Sequence, residues 1–375
     1  FMRLMGWNAN TNLTFGSFHI DIAPIIIVAF FTTLLVFGTK IGARVDGAMT
    51  VLKIAIVFFV VIVGFFYVKA SNFTPFIPPS QPASTVEGSS AVTGVMTQPL
   101  WQFATGMTPS VYGVPGILSG AALVFFAFIG FDVVATASEE TKNPHKNVPL
   151  GIGVGMLLII VMYMLVAVVT TGMVSYADLA KQDSPSLATA FELVGADWAA
   201  KIISFGIVLG LATVVMVLLL GLTRIVFAMS RDGLLPRGLS KTGKHGTPAA
   251  LQIVVGAVVA LVAAFFDIGV LSDMVNIGTL SAFTLVAISI PIMRKKRPDL
   301  PRAFKMPGSP WIPILIAVAN FWLMLNLSVL TWIRFVVWLV VGFAIYFGYG
   351  YWHARLGKGD LTETLSAETD KAVNG

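Results

Sequence analysis

FFAFIGFDVVATASEETKNPHKNVPLGI, residues 125 to 152, places a glycine and an acid inside an apolar run and then turns polar, with prolines at 144 and 149. A helix that met only lipid would gain from neither residue. Gly130 permits a break, and Asp132 sets a charge just beyond it. At membrane depth, unwound backbone is tolerated only where it is buried in protein or lines a watery cavity, because its N–H and C=O groups need partners. An interruption near Ile129 and Gly130 would free the carbonyls of Phe126, Ala127 and Ile129 to accept hydrogen bonds from an ammonium group. Phe126 and Phe128 then supply apolar or cation–π walls, or else they pack helices and meet lipid. For Asp132 two roles stand: a fixed negative charge beside the site, or a buried structural hydrogen-bonding partner.

The composition fixes the setting of that break. Hydrophobic residues make up 57% and charged residues 11% of the chain, with a mean hydropathy of +0.87. Water cannot cover such a surface, so the chain is read as an integral membrane protein. Runs of about 18 residues cross a core of about 30 Å as helices. Nine such runs fall near 20–38, 48–68, 116–138, 149–174, 199–228, 248–266, 270–293, 311–330 and 332–352. None shows the ten-residue alternation of a β-barrel strand. Pro144 and Pro149 are expected to end one helix and start the next.

Lys and Arg set the orientation. With the loop after the first span in the cytoplasm, that side collects 17 of the 24 basic residues, among them Lys40, Arg44, Lys142, Lys146, Arg231, Arg237 and Arg294 to Arg297. The C-terminus is then cytoplasmic, and the net charge of +6 is a topology signal without the interleaved aromatics of a nucleic-acid surface. The expected organisation is an outer segment at 1–19, a transmembrane region at 20–355 and a disordered tail at 356–375. An odd number of spans entered from outside leads to the expectation that helices precede this sequence. Residues 70 to 115, rich in Pro, Ser, Thr and Gly, form a loop that is either a plain connector or a lid.

Reactive clusters are missing from the pattern. His19, His145, His245 and His353 are scattered without zinc-site spacing, and there is no cysteine. Gly238 to Lys244 resembles the front of a phosphate-binding loop, yet His245 stands where a Ser or Thr should hold magnesium. Gly151 with Gly155, and Gly206 with Gly210, are four apart and are read as close helix-packing faces. No enzyme chemistry and no cofactor follow. A channel would need rings of like residues or a continuous polar stripe, and neither is evident. Transport remains.

Lys53 lies in TVLKIAIVFFVV, seven residues beyond Asp46 and so about 10 Å along the helix. It either snorkels to the headgroups or faces the bundle, where a desolvated ammonium could release and regain a proton. Arg224, near the end of its span, is read as snorkelling.

FFAFIGFD and ASEETKNPHKNVPLGI, then MSRDGLLPRGLSKTGKHGTPAA at 229 to 250 and NIGTLSAF at 276 to 283, resemble the amino acid-polyamine-organocation transporters, most closely the cationic amino acid transporter branch. The resemblance runs from about Ile20 to Arg355. It implies an all-α inverted-repeat fold of five plus five helices with two more at the C-terminus, of which nine of twelve are present here. It also implies proton-coupled transport of cationic or small neutral amino acids by alternating access across a plasma membrane, with exchange without protons as the alternative. By position, Phe126, Ala127, Ile129 and Gly130 resemble the contact for the substrate amino group, and Phe126 its aromatic gate. Met216 resembles a residue lining the side-chain end of the pocket, though as an apolar helix residue it equally suits packing. Asp132 resembles an acidic position that varies among relatives, and Lys53 the lysine of proton-coupled ones. Expected partners are an amino acid, protons and the lipid bilayer, with a small accessory subunit left open.

Overall fold

Without water to satisfy its backbone, an apolar run in the hydrocarbon core must close its hydrogen bonds within itself, and runs of Val, Leu, Ile and Ala do so as helices. The computed structural model describes residues 12–15, 18–37, 39–85, 94–131, 134, 141, 143–182, 185–240, 248–298, 306 and 308–354. In chain order they form β1 (Asn12–Phe15), β2 (Phe18–Asp21), α1 (Ile22–Phe37), α2 (Thr39–Phe65), β3 (Gln81–Pro82), α3 (Leu100–Thr105), β4 (Ser110–Val111) and α4 (Gly113–Val124). There follow α5 (Pro144–Met173), α6 (Tyr176–Ala180), α7 (Leu187–Leu193), α8 (Asp197–Arg231), α9 (Ala249–Phe265), α10 (Ile268–Lys296), α11 (Trp311–Leu325) and α12 (Val329–Ile345). A π-helical turn at Tyr346–Gly350 continues α12 towards His353.

The nine spans read from the sequence all fall on apolar helices, and the fold is that of an all-α membrane protein. Five are long enough to cross a membrane: Gly47–Phe65, Lys146–Met173, Asp197–Arg231, Ile268–Lys296 and Val329–His353. Four are shorter: Ile22–Val36, Gly113–Phe128, Ala249–Phe265 and Trp311–Leu325. Two boundaries differ from expectation. The third span leaves the α-helix after Val124, and the fourth begins at Pro144 with Pro149 inside it. Proline at the first helical position sacrifices no bond, and Pro149 comes early enough that only one carbonyl, that of His145, loses its partner. The segment read at 1–19 as a polar entry contains part of an antiparallel hairpin, with Leu13 opposite Ile20 and Phe15 opposite Phe18. Its alternation of apolar and polar residues has the strand period.

The chain divides into two compact units. The first contains Gly47–Leu211 and Phe266–Phe335. One of its cores gathers Val60, Val169, Met173, Phe191 and Ile203, and another Ala122, Ile277, Leu280, Met324 and Leu327. Serine caps start its two short connecting helices: Ser175 accepts from the Asp178 amide at 3.2 Å, and Ser186 from the Thr189 amide at 3.2 Å. The second unit contains Thr11–Asp46, Ala212–Phe265 and the chain from Val336. There α1 packs on α9 around Val28, Phe31, Leu35, Met216, Leu251 and Val255.

The two glycine pairs part company. Gly206 receives the Ile56 side chain and Gly210 the Lys53 stem, so α2 lies close on α8. Gly151 and Gly155 have nothing within 4 Å of where a side chain would begin, so among the described residues their face carries no tight crossing. A four-residue spacing defines a helix face but not what covers it.

Candidate functional site

The break lies where Gly130 allows it. From Phe125 to Phe128 the chain tightens into a 3-10 turn, Ile129 is extended at φ −69° and ψ 136°, and Gly130 takes φ +124°. A side chain at Gly130 would be strained by its φ alone, since among the described residues nothing lies within 4 Å of its Cβ position. Helical backbone resumes at Phe131.

Two neighbouring helices of the same unit hold this interruption. From α5, Tyr163 donates its phenol hydrogen to the Ala127 carbonyl at 2.8 Å and sets its ring edge-on to Phe128, with centroids 5.0 Å apart. From α10, Phe283 meets Phe125 at 6.2 Å and Phe131 at 5.3 Å, one on each side of the break. The Phe126 carbonyl accepts from the Ile129 amide at 3.2 Å. The carbonyls expected to be free at Phe126 and Ala127 therefore each accept one hydrogen bond. Each oxygen keeps a second lone pair for a ligand.

The remaining predicted residues lie in both units or outside the described residues. Phe126 is 44% exposed, so its ring is not part of a packed core. Lys53 lies in the first unit, half-buried, with its Cγ 3.8 Å from the Cβ position of Gly210. That contact turns its stem towards α8 and away from a purely lipid-facing course. Met216 belongs to the second unit, 3% exposed and packed with Phe31, Leu219 and Leu251. Asp132 lies outside the described residues, as do Glu139, Glu140 and Lys142 of the polar turn.

Sequence reading missed Tyr163 and Phe283. Tyr163 is a phenol inside the run GMLLIIVMYMLVAVV, and a buried hydroxyl in a span needs an acceptor. Phe283 ends NIGTLSAF, a motif noticed without a reason for its aromatic. A Tyr163→Phe variant keeps the ring contact and deletes the hydrogen bond, about 1 kcal/mol. It is expected to cut uptake about fivefold at low substrate without lowering the yield of folded protein. Uptake kinetics equal to the parent would show that the bond does not hold the break.

Comparison with known proteins gives a consistent picture. The sequence profile of one family, described as amino acid permease, matches residues 4–350. The branched-chain amino acid permease BcaP of Bacillus subtilis is 41% identical over 345 residues, covering 92% of this chain and 67% of that protein. The methylthioribose transporter of the same organism is 38% identical, covering 89% and 65%. The vacuolar cationic amino acid transporter 4 of Arabidopsis thaliana is 34% identical over 281 residues, covering 75% and 42%. The chain thus spans about two thirds of the length of the bacterial relatives and about two fifths of the plant one.

Proposed function

This chain belongs to the amino acid permease family, a family of carriers and not of enzymes, and on that premise we propose that it moves amino acids across a membrane by alternating access, drawing on a proton gradient. The observation that carries this reading is the interrupted helix at Phe125–Gly130, whose carbonyls keep acceptor capacity at the point where an ammonium group would be held. A carrier needs a polar site inside an apolar bundle, and unwound backbone supplies one without a buried charge. Phe126, exposed beside it, closes the site as an aromatic gate. Asp132, two residues along the chain from Gly130, is assigned as the fixed negative charge of the site.

Cationic and branched-chain amino acids are the substrate classes the relatives' names support: the Bacillus subtilis permease is named for branched-chain amino acids and the Arabidopsis thaliana carrier for cationic ones. The membrane is the plasma membrane, with the C-terminus in the cytoplasm on the charge pattern. Lys53, its stem on α8, carries the coupled proton.

The test is uptake of labelled arginine, alanine and isoleucine into liposomes with and without an inward proton gradient. Gradient-dependent uptake of any of the three supports the reading and names the class. Uptake that responds only to amino acid inside the vesicle replaces coupling by exchange, and no uptake by folded protein overturns the carrier reading. Phe126→Ala is expected to weaken uptake about tenfold at low substrate, on the loss of one aromatic contact to the substrate of about 1.5 kcal/mol. Parent-like affinity would remove Phe126 from the gate.

A further inference from the structure

The loop between α2 and α4 ends in a built contact. Its segment Gly94–Thr105 lies along the turn that joins α11 to α12, held by three main-chain hydrogen bonds: Leu330 N–H to Met96 O at 2.8 Å, Val329 N–H to Gln98 O at 3.1 Å, and Leu100 N–H to Leu327 O at 3.0 Å. Pro99 and Ser328 face each other as an antiparallel bridge. Trp101 leans on Trp322, with ring centroids 6.3 Å apart. The receiving turn is itself fixed, because Thr331 donates to Asp273 of α10 at 3.1 Å and shares a hydrogen bond with Ser328 at 2.8 Å.

Three side chains in this seam bury polar atoms that have no partner among the described residues. Gln102 is 1% exposed, and neither its amide nitrogen nor its amide oxygen has a partner among the described residues. The same holds for the Asn326 side-chain oxygen and the Trp101 indole nitrogen. A permanent contact normally pairs such groups. Here closure is secured by main-chain bonds and apolar area while its amides would gain hydrogen bonds on reaching water. Those opposing terms describe a joint that opens.

The position of the seam gives opening a consequence. Only Gly106 to Tyr112 separates α3 from α4, the helix that runs into the break. Tyr112 itself holds a positive φ of 62° at that junction. The geometry points to Gly94–Thr105 as a latch that ties the near end of the interrupted helix to the α11–α12 turn and releases it during the transport cycle. This inference rests on the carrier reading, and it makes the loop a moving part where the sequence left connector and lid open.

The chain contains no cysteine, so single introduced thiols report cleanly. In purified protein, Phe103→Cys, at an exposed position, sets the full rate of labelling by a maleimide. Gln102→Cys, closed off in the seam, is expected to label to completion but about 100-fold more slowly, as an open fraction of about one in a hundred dictates. The absence of labelling at Gln102→Cys while Phe103→Cys reacts overturns the latch, and so does labelling at the full rate, which means the seam is never closed. The second measurement joins the two sides. In Pro99→Cys/Ser328→Cys, whose bridge geometry suits a disulfide, oxidation is expected to cut uptake of labelled arginine, alanine or isoleucine about tenfold or more, with recovery on reduction. Equal uptake in both states overturns the latch and spares the carrier reading. Slow labelling of Gln102→Cys with no uptake in either state leaves a seam that opens but overturns the carrier reading, and with it the seam's part in a transport cycle. Where the Pro99 change prevents folding, Met96→Cys/Leu330→Cys closes the same seam one step along.

Discussion

Replacing Lys53 by methionine is expected to leave amino acid uptake that no longer responds to a proton gradient. The stem of Lys53 lies against α8, with its Cγ 3.8 Å from the Cβ position of Gly210, and one turn further Ile56 sits over Gly206. Methionine keeps much of that stem and its packing but has no proton to exchange, so the helix contact survives while the coupling group is lost. With one proton per substrate, each unit of pH difference drives about tenfold accumulation, since one unit equals about 1.4 kcal/mol. Parent protein in liposomes with an alkaline interior should therefore concentrate labelled substrate about tenfold per pH unit. Lys53→Met should bring the inside concentration only to that outside, while binding measured by substrate-induced thermal shift remains. Accumulation by the variant equal to the parent would take Lys53 out of the coupling step.

How far the sequence could be read depends on how local each feature is. The break is a local event: Gly130 in an apolar run is enough to place it, and Ile129 and Gly130 adopt the irregular backbone expected of them. What holds the break is not local. Tyr163 lies 36 residues from its acceptor Ala127, and Phe283 is further still, so nothing in the run FFAFIGFD announces either partner. Hydrophobic length located the nine apolar helices, because the bilayer core confines a long apolar run to one secondary structure. It could not say which helix faces cover one another. Gly206 and Gly210 lie under α2, whereas Gly151 and Gly155, with the same spacing, meet nothing within 4 Å among the described residues. The contact of the Lys53 stem with α8 is of the same non-local kind. The seam at Gly94–Thr105 was hidden for a further reason: its bonds are main-chain bonds to a turn more than 200 residues away, and backbone pairing of that kind leaves no mark in side-chain composition.

A Gly233→Ala substitution is expected to be among the most destabilising single-methyl changes in the second unit. Gly233 follows α8 within MSRDGLLPRG, part of the stretch whose resemblance to a carrier family drew attention in the sequence. Its φ is +83°. Its amide bonds to the Ser230 carbonyl at 3.2 Å, the next amide returns to the Met229 carbonyl at 2.9 Å, and the Ser230 hydroxyl donates to the Pro236 carbonyl at 2.6 Å, so the turn is fixed on both sides. Against it rests the backbone of the final helical turn. A Cβ at Gly233 would fall well inside contact distance of the His353 carbonyl oxygen and 3.1 Å from its carbon. On the facing strand of chain, Gly350 meets the Leu234 carbonyl in the same close manner, 3.3 Å from its own Cβ position. The obstacle is backbone on both sides, with no rotamer to give way. The left-handed conformation costs alanine about 1 kcal/mol and the forced separation about 1–3 kcal/mol more. Together these shift the melting temperature by on the order of 5–10 °C. Gly195→Ala separates the two costs, because its φ of +78° is similar but among the described residues nothing lies within 4 Å. It should lose only the first part, a shift of a few degrees. Thermal unfolding followed by intrinsic fluorescence in detergent compares them directly. If the two variants melt together, the close packing of Gly233 on His353 contributes nothing to stability, and the glycine is there for its φ alone.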